Sequence, residues 1–257
     1  MSIPHHLSTG IKRFARANER ASRVIARRLP QARVDLQDAY ATTAAAYLGR
    51  LAAGALAVDV GAGKVTPFGA AKPAGVSLVG VDVSPEEMEG NEALDETVVA
   101  DVTGRLPFAD GSVDLVTSRS VLEHLRDTAA FVAESARITP VGGHAIHFFP
   151  SRFAPFAIAN QVLPNRLSRG LLESIFPWAR GVLGFPAFYD HCYPSAMTRL
   201  FEQSGFSVLD VRLSYSQAYY FSFFLPIYTV AALYDEVVAV LGAQNLAAGV
   251  LLVARRR

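Results

Sequence analysis

Short apolar runs alternate with helix-like stretches through the middle of the chain. The runs lie at residues 55–60, 76–81, 97–100, 113–117 and 144–149. Between the last two, residues 121–138 carry apolar side chains at roughly helical spacing, which predicts a helix. Strand and helix signals in alternation are typical of a parallel sheet that is covered on both faces. The pattern therefore predicts an α/β fold.

Helical stretches precede the first run, and a less regular region follows the last. Residues 12–33 carry eight basic residues and one acid among apolar side chains, which predicts a basic, partly amphipathic helix. A second helix is predicted over residues 34–51. Residues 153–188 show no clean period, and we interpret them as short helices and loops that form a lid. The remaining predictions are a helix over 195–204 and strands over 206–213 and 246–254.

Composition and charge restrict the class of protein. The 257 residues are 51% hydrophobic and 18% charged, which excludes disorder as the main state. The formal net charge of +1 gives no global attraction to nucleic acid. The single cysteine, Cys192, excludes an intramolecular disulfide framework and fits a reducing compartment. Residues 1–7 lack the apolar stretch of a signal peptide, so we expect a cytoplasmic protein.

One long segment without charge bears on membrane topology. Residues 213–234 are twenty-two residues long, which is enough in principle to cross a bilayer. The segment contains Pro226 and several polar residues, and a span here would pull the last predicted strand out of the sheet. We therefore expect no membrane span. Peripheral contact with the inner membrane face, through this segment and the basic N-terminal helix, is an alternative to packing on the core.

Acidic residues lie at the ends of the first three predicted strands. Asp59 precedes a turn that contains Gly61 and Gly63, in the sequence Ala-Val-Asp-Val-Gly-Ala-Gly-Lys. Glycines allow a backbone to approach a ligand closely, and ligands bind in the crevice at the carboxyl ends of parallel strands. Asp82 directly follows the second run, where an acid can accept both hydroxyls of a ribose, and Asp101 follows the third. The pattern predicts a nucleotide-type site.

Further motifs follow in the second half of the core. They are Leu-Pro-Phe at 106–108, Asp-Gly at 110–111, an apolar-Asp pair at 113–114 and Leu-Glu-His at 122–124. With these motifs the chain resembles the class I S-adenosylmethionine-dependent methyltransferases, in the methyltransferase type 11-like subgroup. The resemblance is close over residues 56–149 and looser to residue 206.

The resemblance implies a fold and a domain organisation. The expected fold is α/β: a doubly wound, mostly parallel, Rossmann-like sheet of seven strands with helices on both faces, N-terminal helices and an inserted helical lid. A single methyltransferase domain is expected over residues 1–257. Its parts are N-terminal helices (1–53), a cofactor-binding core (54–150), an acceptor-side insertion (151–194) and the C-terminal part of the sheet (195–257).

The resemblance also implies a set of residues that bind S-adenosyl-L-methionine. The set is Asp59, Gly61, Gly63, Asp82, Val83, Asp101, Val102 and Ser118. In it, Asp82 holds the ribose, Asp101 and the backbone of Val102 hold the adenine, and Ser118 lies beside the sulfonium. The chain departs from the subgroup at Val65, which stands where a third glycine is common. A dehydrogenase is disfavoured, because the glycine that its motif requires is Thr66 here.

Histidines are the candidates for a general base. Methyl transfer to a hydroxyl needs a proton acceptor, and the ordinary pKa of histidine lies near neutrality. His191 precedes the helix predicted at 195–204, where similar methyltransferases often place a histidine beside the acceptor, and His147 lies near the end of the fifth strand. A metal site at Glu123 and His124 is disfavoured, because Ser120 stands where related metal-binding enzymes tend to carry an acid.

The predicted function is methyl transfer to a small, lipid-linked or glycan-linked acceptor, with oxygen as the expected methylated atom. Arg119 and Arg152 are candidates for contact with an anionic acceptor. Two alternatives stay open. One is a protein that binds S-adenosylmethionine without catalysis and acts in regulation or assembly; the other, nucleic-acid methylation, lacks a base-amine motif and is disfavoured.

Overall fold

The computed structural model describes residues 5–30, 36–162 and 185–257. Contacts between residues divide this part of the chain into two units. The larger unit takes in residues 36–152, 188–213 and 249–257, and the smaller unit takes in residues 5–30, 153–162, 185–187 and 214–248. The organisation as a single domain with an inserted lid stays a prediction, and residues 163–184 of that lid lie outside the described residues.

Seven strands form one sheet in the larger unit. They are β1 (Leu56–Val60), β2 (Ser77–Asp82), β3 (Glu96–Val99), β4 (Leu115–Arg119), β5 (His144–Pro150), β6 (Phe206–Ser214) and β7 (Gly249–Arg256). Their order across the sheet is β3-β2-β1-β4-β5-β7-β6. The pairs among β1 to β5 are parallel, and β7 is antiparallel to β5. The expectation of a mostly parallel, seven-stranded, Rossmann-like sheet is confirmed.

Seven α-helices accompany the sheet within the described residues. They are α1 (His5–Ala26), α2 (Leu36–Leu48), α3 (Pro85–Met88), α4 (Thr128–Ile138), α5 (Pro155–Val162), α6 (Pro194–Gln203) and α7 (Leu225–Val240). Of these, α2, α3, α4 and α6 belong to the larger unit.

Helices cover both faces of the sheet. Successive strand residues point to opposite faces, so the side chains of Ile146 and His147 in β5 lie on the two different faces of the sheet. Ile146 packs in a buried cluster with Tyr40 of α2. His147 lies between Phe131 of α4 and Phe201 of α6, with ring centroids 5.5 and 5.3 Å away. Burial on both faces explains why the central strands are continuous apolar runs.

The helix predicted over residues 121–138 begins later than expected. A short 3-10 turn, Leu122–His124, comes first, and Leu125 then takes an extended conformation with ψ of 137°. α4 begins after Asp127, whose side chain accepts a hydrogen bond from the backbone N–H of Ala130. This N-cap satisfies a free donor of the first turn, so it ends the irregular connection and starts the helix.

The smaller unit is built on the pair α1 and α7. Asn18 Oδ1 accepts a hydrogen bond from the backbone N–H of Leu225 at 2.9 Å. Further along, Ile25 and Leu29 pack against the buried cluster of Ala218, Tyr228 and Ala232. These contacts leave one side of α1 exposed. Among the residues that the structure describes, no helix is both long and apolar enough to span a membrane.

Candidate active site

The order of the strands creates a crevice at one edge of the sheet. From β1 the chain proceeds outward to β2 and β3, whereas β4 lies on the other side of β1 and leads to β5. Helices and loops that leave β1 and β4 therefore diverge, and ligands of open α/β sheets bind at such a switch in strand order. The register sets Val60 beside Val81 and beside Ser118.

The loop after β1 holds two glycines in a left-handed conformation. Gly61 has a φ of 63° and Gly63 a φ of 53°. A Cβ at Gly61 would lie 2.2 Å from Cγ2 of Val121, so glycine is required there for space as well as for conformation. Val65 does not have a positive φ. The missing third glycine is therefore no obstacle to this loop conformation.

Asp59 braces the glycine loop from within the sheet. Its Oδ2 accepts a hydrogen bond from Thr66 Oγ1 and its Oδ1 accepts one from Thr117 Oγ1, both at 2.8 Å. Asn91 donates from Nδ2 to the carbonyl of Gly63 at 2.9 Å. Burial raises the pKa of Asp59 to about 6, and the two hydroxyl donors act in the opposite direction. The partners of Asp59 and Gly63 are distant or unmarked in sequence and were not predicted.

Two further acids lie at the ends of neighbouring strands. Asp82 is half-buried at the end of β2, and its Oδ1 accepts the backbone N–H of Val83. Ala100 donates its N–H to the carbonyl of Asp82 at 2.9 Å, which sets the exposed Asp101 beside this strand end. The backbone N–H and hydroxyl of Thr103 bind the carboxylate of Asp101 and hold its pKa below the ordinary value. Asp82 thus keeps one carboxylate oxygen for a ligand.

Ser118 and His147 form a buried pair. The two residues are register partners in β4 and β5, and Ser118 Oγ lies 2.7 Å from His147 Nδ1. Both residues are 0% exposed. Burial lowers the pKa of His147 to about 3, so the imidazole is neutral at pH 7. The structure therefore places these two candidates in the buried interior of the larger unit, where the His147 ring packs between Phe131 and Phe201.

His191 lies in a loop at the same edge of the sheet. Its Nδ1 is 2.9 Å from Asp190 Oδ1. Asp190 in turn accepts the backbone N–H of Thr128 through Oδ2 at 3.0 Å, which ties the loop to the start of α4. His191 is exposed and has a φ of 53°. A carboxylate that binds Nδ1 leaves Nε2 free to accept a proton, so this pair can act as an oriented base.

The connection after β4 contains Glu123, an acid whose burial was not predicted from the sequence. Glu123 is 5% exposed, and its backbone carbonyl accepts the N–H groups of Phe188 and Tyr189. Its burial depends on a loop sixty-five residues away, which no local pattern reveals. Within residues 5–30, 36–162 and 185–257, no three His, Cys, Asp or Glu side chains converge as a metal site would require.

Comparisons with known proteins bear on the core of this site. A family model described as a methyltransferase domain matches residues 58–147. An uncharacterized methyltransferase of Mycolicibacterium vanbaalenii is 36% identical over 112 residues, which are 42% of this chain and 44% of that protein. The chain thus matches less than half the length of this curated relative.

Solved structures share the fold at low sequence identity. Geranyl diphosphate C-methyltransferase from Streptomyces coelicolor A3(2), solved with Mg²⁺, geranyl diphosphate and S-adenosyl-L-homocysteine, is 14% identical, with a TM-score of 0.54 over 86% of this chain and 80% of that chain. The methyltransferase-fold chain solved with the Trm112 activator of Haloferax volcanii is 19% identical, with a TM-score of 0.52 over 84% and 88%. The family model thus identifies a methyltransferase domain over residues 58–147. The solved structures show that the chain has the fold of S-adenosylmethionine-dependent methyltransferases.

Proposed function

We propose that the protein transfers a methyl group from S-adenosylmethionine to a small, lipid-linked or glycan-linked acceptor. The observation that carries this proposal is the braced glycine loop at the switch in strand order, flanked by acids at the ends of β2 and β3. The space above Gly61 and Gly63 suits the methionine part of the cofactor. Asp82 and the backbone of Val83 suit its ribose hydroxyls.

The adenine would lie near the end of β3. Asp101 is exposed there, and Val102 beside it is buried, so an acid and an apolar residue are adjacent. Asp59 would act indirectly, because both its oxygens already bind Thr66 and Thr117. We leave Ser118 out of the proposed binding set, since its hydroxyl is buried against His147.

We propose His191 as the base for a hydroxyl acceptor. When bound, S-adenosylmethionine supplies an electrophilic methyl carbon: the acceptor oxygen forms the new C–O bond, the C–S bond breaks, and its electron pair stays on sulfur. His191 would take the hydroxyl proton on Nε2, while Asp190 stabilises the resulting imidazolium through Nδ1. His147 is a poor alternative, because burial lowers its pKa to about 3.

Calorimetry with S-adenosylhomocysteine tests the cofactor site. Asp82→Ala should weaken binding by about 1.5–3 kcal/mol, the range for hydrogen bonds to charged groups. Glu96→Ala is a matched control, since Glu96 is exposed at the opposite end of neighbouring β3 and should leave affinity unchanged. Equal affinity of wild type and Asp82→Ala would contradict the ribose assignment.

A label-transfer assay separates catalysis from binding alone. Protein with methyl-labelled S-adenosylmethionine and a lipid and metabolite extract of a mycobacterium, the source of the curated relative, should yield labelled product. His191→Gln should lower turnover by about 10²- to 10⁴-fold with cofactor affinity unchanged. Cofactor binding without transfer of the label to any component of the extract would favour the non-catalytic alternative. Full activity of His191→Gln would contradict the assignment of His191 as the base.

We also propose peripheral contact with anionic membranes through α1. Asn18, Ser22, Ile25 and Leu29 face the partner segments of the smaller unit. The opposite side carries exposed arginines at a spacing of three and four residues: Arg13, Arg16, Arg20 and Arg23 of α1, and Arg27 directly after it. A basic helical face of this kind is attracted to anionic lipid.

A further inference from the structure

The first turn after β4 holds an acidic side chain that the proposed reaction leaves unused. Glu123 lies in the 3-10 turn Leu122–His124, shortly after β4 ends at Arg119. Ser120, at the start of this connection, has a φ of 56°, which non-glycine residues rarely adopt. The chain turns sharply here, and the Glu123 side chain is only 6% exposed.

The carboxyl of Glu123 is only partly satisfied. Its Oε1 lies 3.8 Å from Nε2 of His124. Its Oε2 is buried and has no hydrogen-bond partner among the described residues. Buried polar atoms in proteins are nearly always hydrogen-bonded, so an unpaired one points to a bound group that completes it.

A second unpaired polar atom lies at the end of the neighbouring strand. Ser151 directly follows Pro150, the last residue of β5, and its buried Oγ has no hydrogen-bond partner in the part of the chain that the structure describes. β4 and β5 are adjacent and parallel, so Glu123 and Ser151 lie at the same edge of the sheet.

One loop covers both strand ends. Residues 188–193 are tied to the first end through Glu123, whose carbonyl accepts the Phe188 and Tyr189 N–H groups at 2.7 and 3.0 Å. They are tied to the second end through Arg152, which donates its N–H to the carbonyl of Cys192 at 2.6 Å. This is also the loop that carries His191, the proposed base.

We propose that Glu123 and Ser151 form a recognition site for an uncharged oxygen, a hydroxyl or carbonyl, of the methyl acceptor. The inference rests on the proposed methyltransferase function and adds the chemistry by which that site selects its substrate. A carboxylic acid and a hydroxyl each donate and accept hydrogen bonds, so the pair can hold either kind of oxygen. Leu122, Tyr189 and Cys192 are buried nearby, which suits an acceptor with an apolar body.

The protonation state of Glu123 supports an uncharged ligand. Burial raises the pKa of Glu123 to about 8, so the carboxyl is largely neutral at pH 7. An anionic group beside it would lose hydration without gaining an opposite charge. An ammonium would also lose hydration, and it would gain an opposite charge only if the carboxyl released its proton, which burial opposes.

Three benzyl compounds of matched shape test this charge preference: benzyl alcohol, benzylamine and benzoate. Dissociation constants are measured at pH 7 by ligand-observed NMR, with the full chain saturated with S-adenosylhomocysteine. Benzyl alcohol should bind at least about tenfold more tightly than the two charged compounds, because burial of either charge costs hydration. Equal or tighter binding of a charged compound, or no measurable binding of benzyl alcohol, overturns the proposal.

Variants locate the binding of benzyl alcohol. Glu123→Met removes both hydrogen-bonding atoms and should weaken it about tenfold, whereas Glu123→Gln keeps a donor and an acceptor and should stay within about threefold of wild type. Ser151→Ala should weaken it by about three- to fivefold. Asp235→Asn is the matched control, because Asp235 is a buried acid of the smaller unit with an unpaired Oδ1.

The outcomes distinguish a failure of the recognition site from a failure of the proposed methyltransferase function. S-adenosylhomocysteine affinity is measured on every variant and shows whether it folds. If the wild-type protein does not bind S-adenosylhomocysteine, the proposed function itself is contradicted. Intact cofactor binding, with benzyl alcohol affinity unchanged in both Glu123→Met and Ser151→Ala, means that internal water completes these atoms and overturns the recognition site alone.

Discussion

Gly61 and Gly63 have similar backbone angles but different surroundings. A Cβ at Gly61 would meet Val121 Cγ2 at 2.2 Å, whereas one at Gly63 would come no closer than 3.9 Å to another heavy atom. Alanine at either position carries left-handed strain of about 1–2 kcal/mol, and at Gly61 it adds overpacking of about 1–3 kcal/mol. We predict that Gly61→Ala lowers the free energy of unfolding more than Gly63→Ala in urea titrations.

A double variant checks the cause of that difference. Val121→Ala removes the methyl group that a Cβ at Gly61 would strike, so Gly61→Ala should cost less in a Val121→Ala background than in wild type. Equal losses of stability for Gly61→Ala in the two backgrounds would show that the contact with Val121 does not decide the effect.

The buried acid Glu123 should make stability depend on pH. The unfolded chain releases this proton near pH 4.5, and the folded protein keeps it to about pH 8 because the side chain is buried. Between these values the folded state binds more protons, so stability falls as pH rises. Glu123→Gln lacks this loss and should gain at most about 5 kcal/mol relative to wild type between pH 5 and pH 9.

Urea unfolding of both proteins at pH 5, 7 and 9 measures that gain. Burial also raises the pKa values of Asp59 and Asp235 to about 6. These two groups titrate in both proteins and cancel in the difference. A difference in stability that stays constant from pH 5 to pH 9 would mean that Glu123 ionises in the folded protein as it does in the unfolded chain.

Among the helices and strands, the core strands could be predicted from the sequence and one helix boundary could not. A strand that is buried on both faces needs a continuous apolar run, and β1, β2 and β5 begin within one residue of such runs. Residues 121–138 keep helical spacing through both the 3-10 turn and α4, so periodicity alone hides the break between them. Asp127 before Thr128 is the N-cap signal that marks the true start.

The residues of the candidate site also differ in how far the sequence predicts them. Asp82, Gly61 and Gly63 are placed by the local relation of a residue to its strand end, which the sequence contains. The environment of His147 depends on Phe131 and Phe201, and Phe201 comes from a helix that begins nearly fifty residues later. No pattern within β5 reveals that two aromatic rings cover this face of the sheet.

The net charge of the chain, +1, conceals a strongly basic α1. We predict that the protein cosediments with vesicles containing phosphatidylserine and not with pure phosphatidylcholine. Each basic residue near an anionic surface contributes about 1 kcal/mol, so changing Arg16, Arg20 and Arg23 together to Gln should weaken binding about a hundredfold. Salt should weaken wild-type binding as well.

A charge-matched variant controls for the loss of three positive charges. Arg50, Arg105 and Arg199 are exposed and belong to the larger unit, so their joint change to Gln lowers net charge equally. If both triple variants lose vesicle binding to the same extent, the attraction is a property of total charge and α1 has no special part in it.

The hydrogen bond from the Ala248 N–H to the Ser214 carbonyl, 2.7 Å long, closes the base of an antiparallel hairpin. β6 ends at this base and β7 begins there. At the far end of the two strands, the Arg257 N–H donates a hydrogen bond to the Gly205 carbonyl. Everything between, residues 215–247, is an inserted segment that contains α7 and whose two ends are already adjacent. Such a segment can be exchanged for a two-residue turn, or for a segment of another length, without shifting the register of the strands that flank it. Residues 215–247 can therefore vary in length and content while β6 and β7 keep the same pairing.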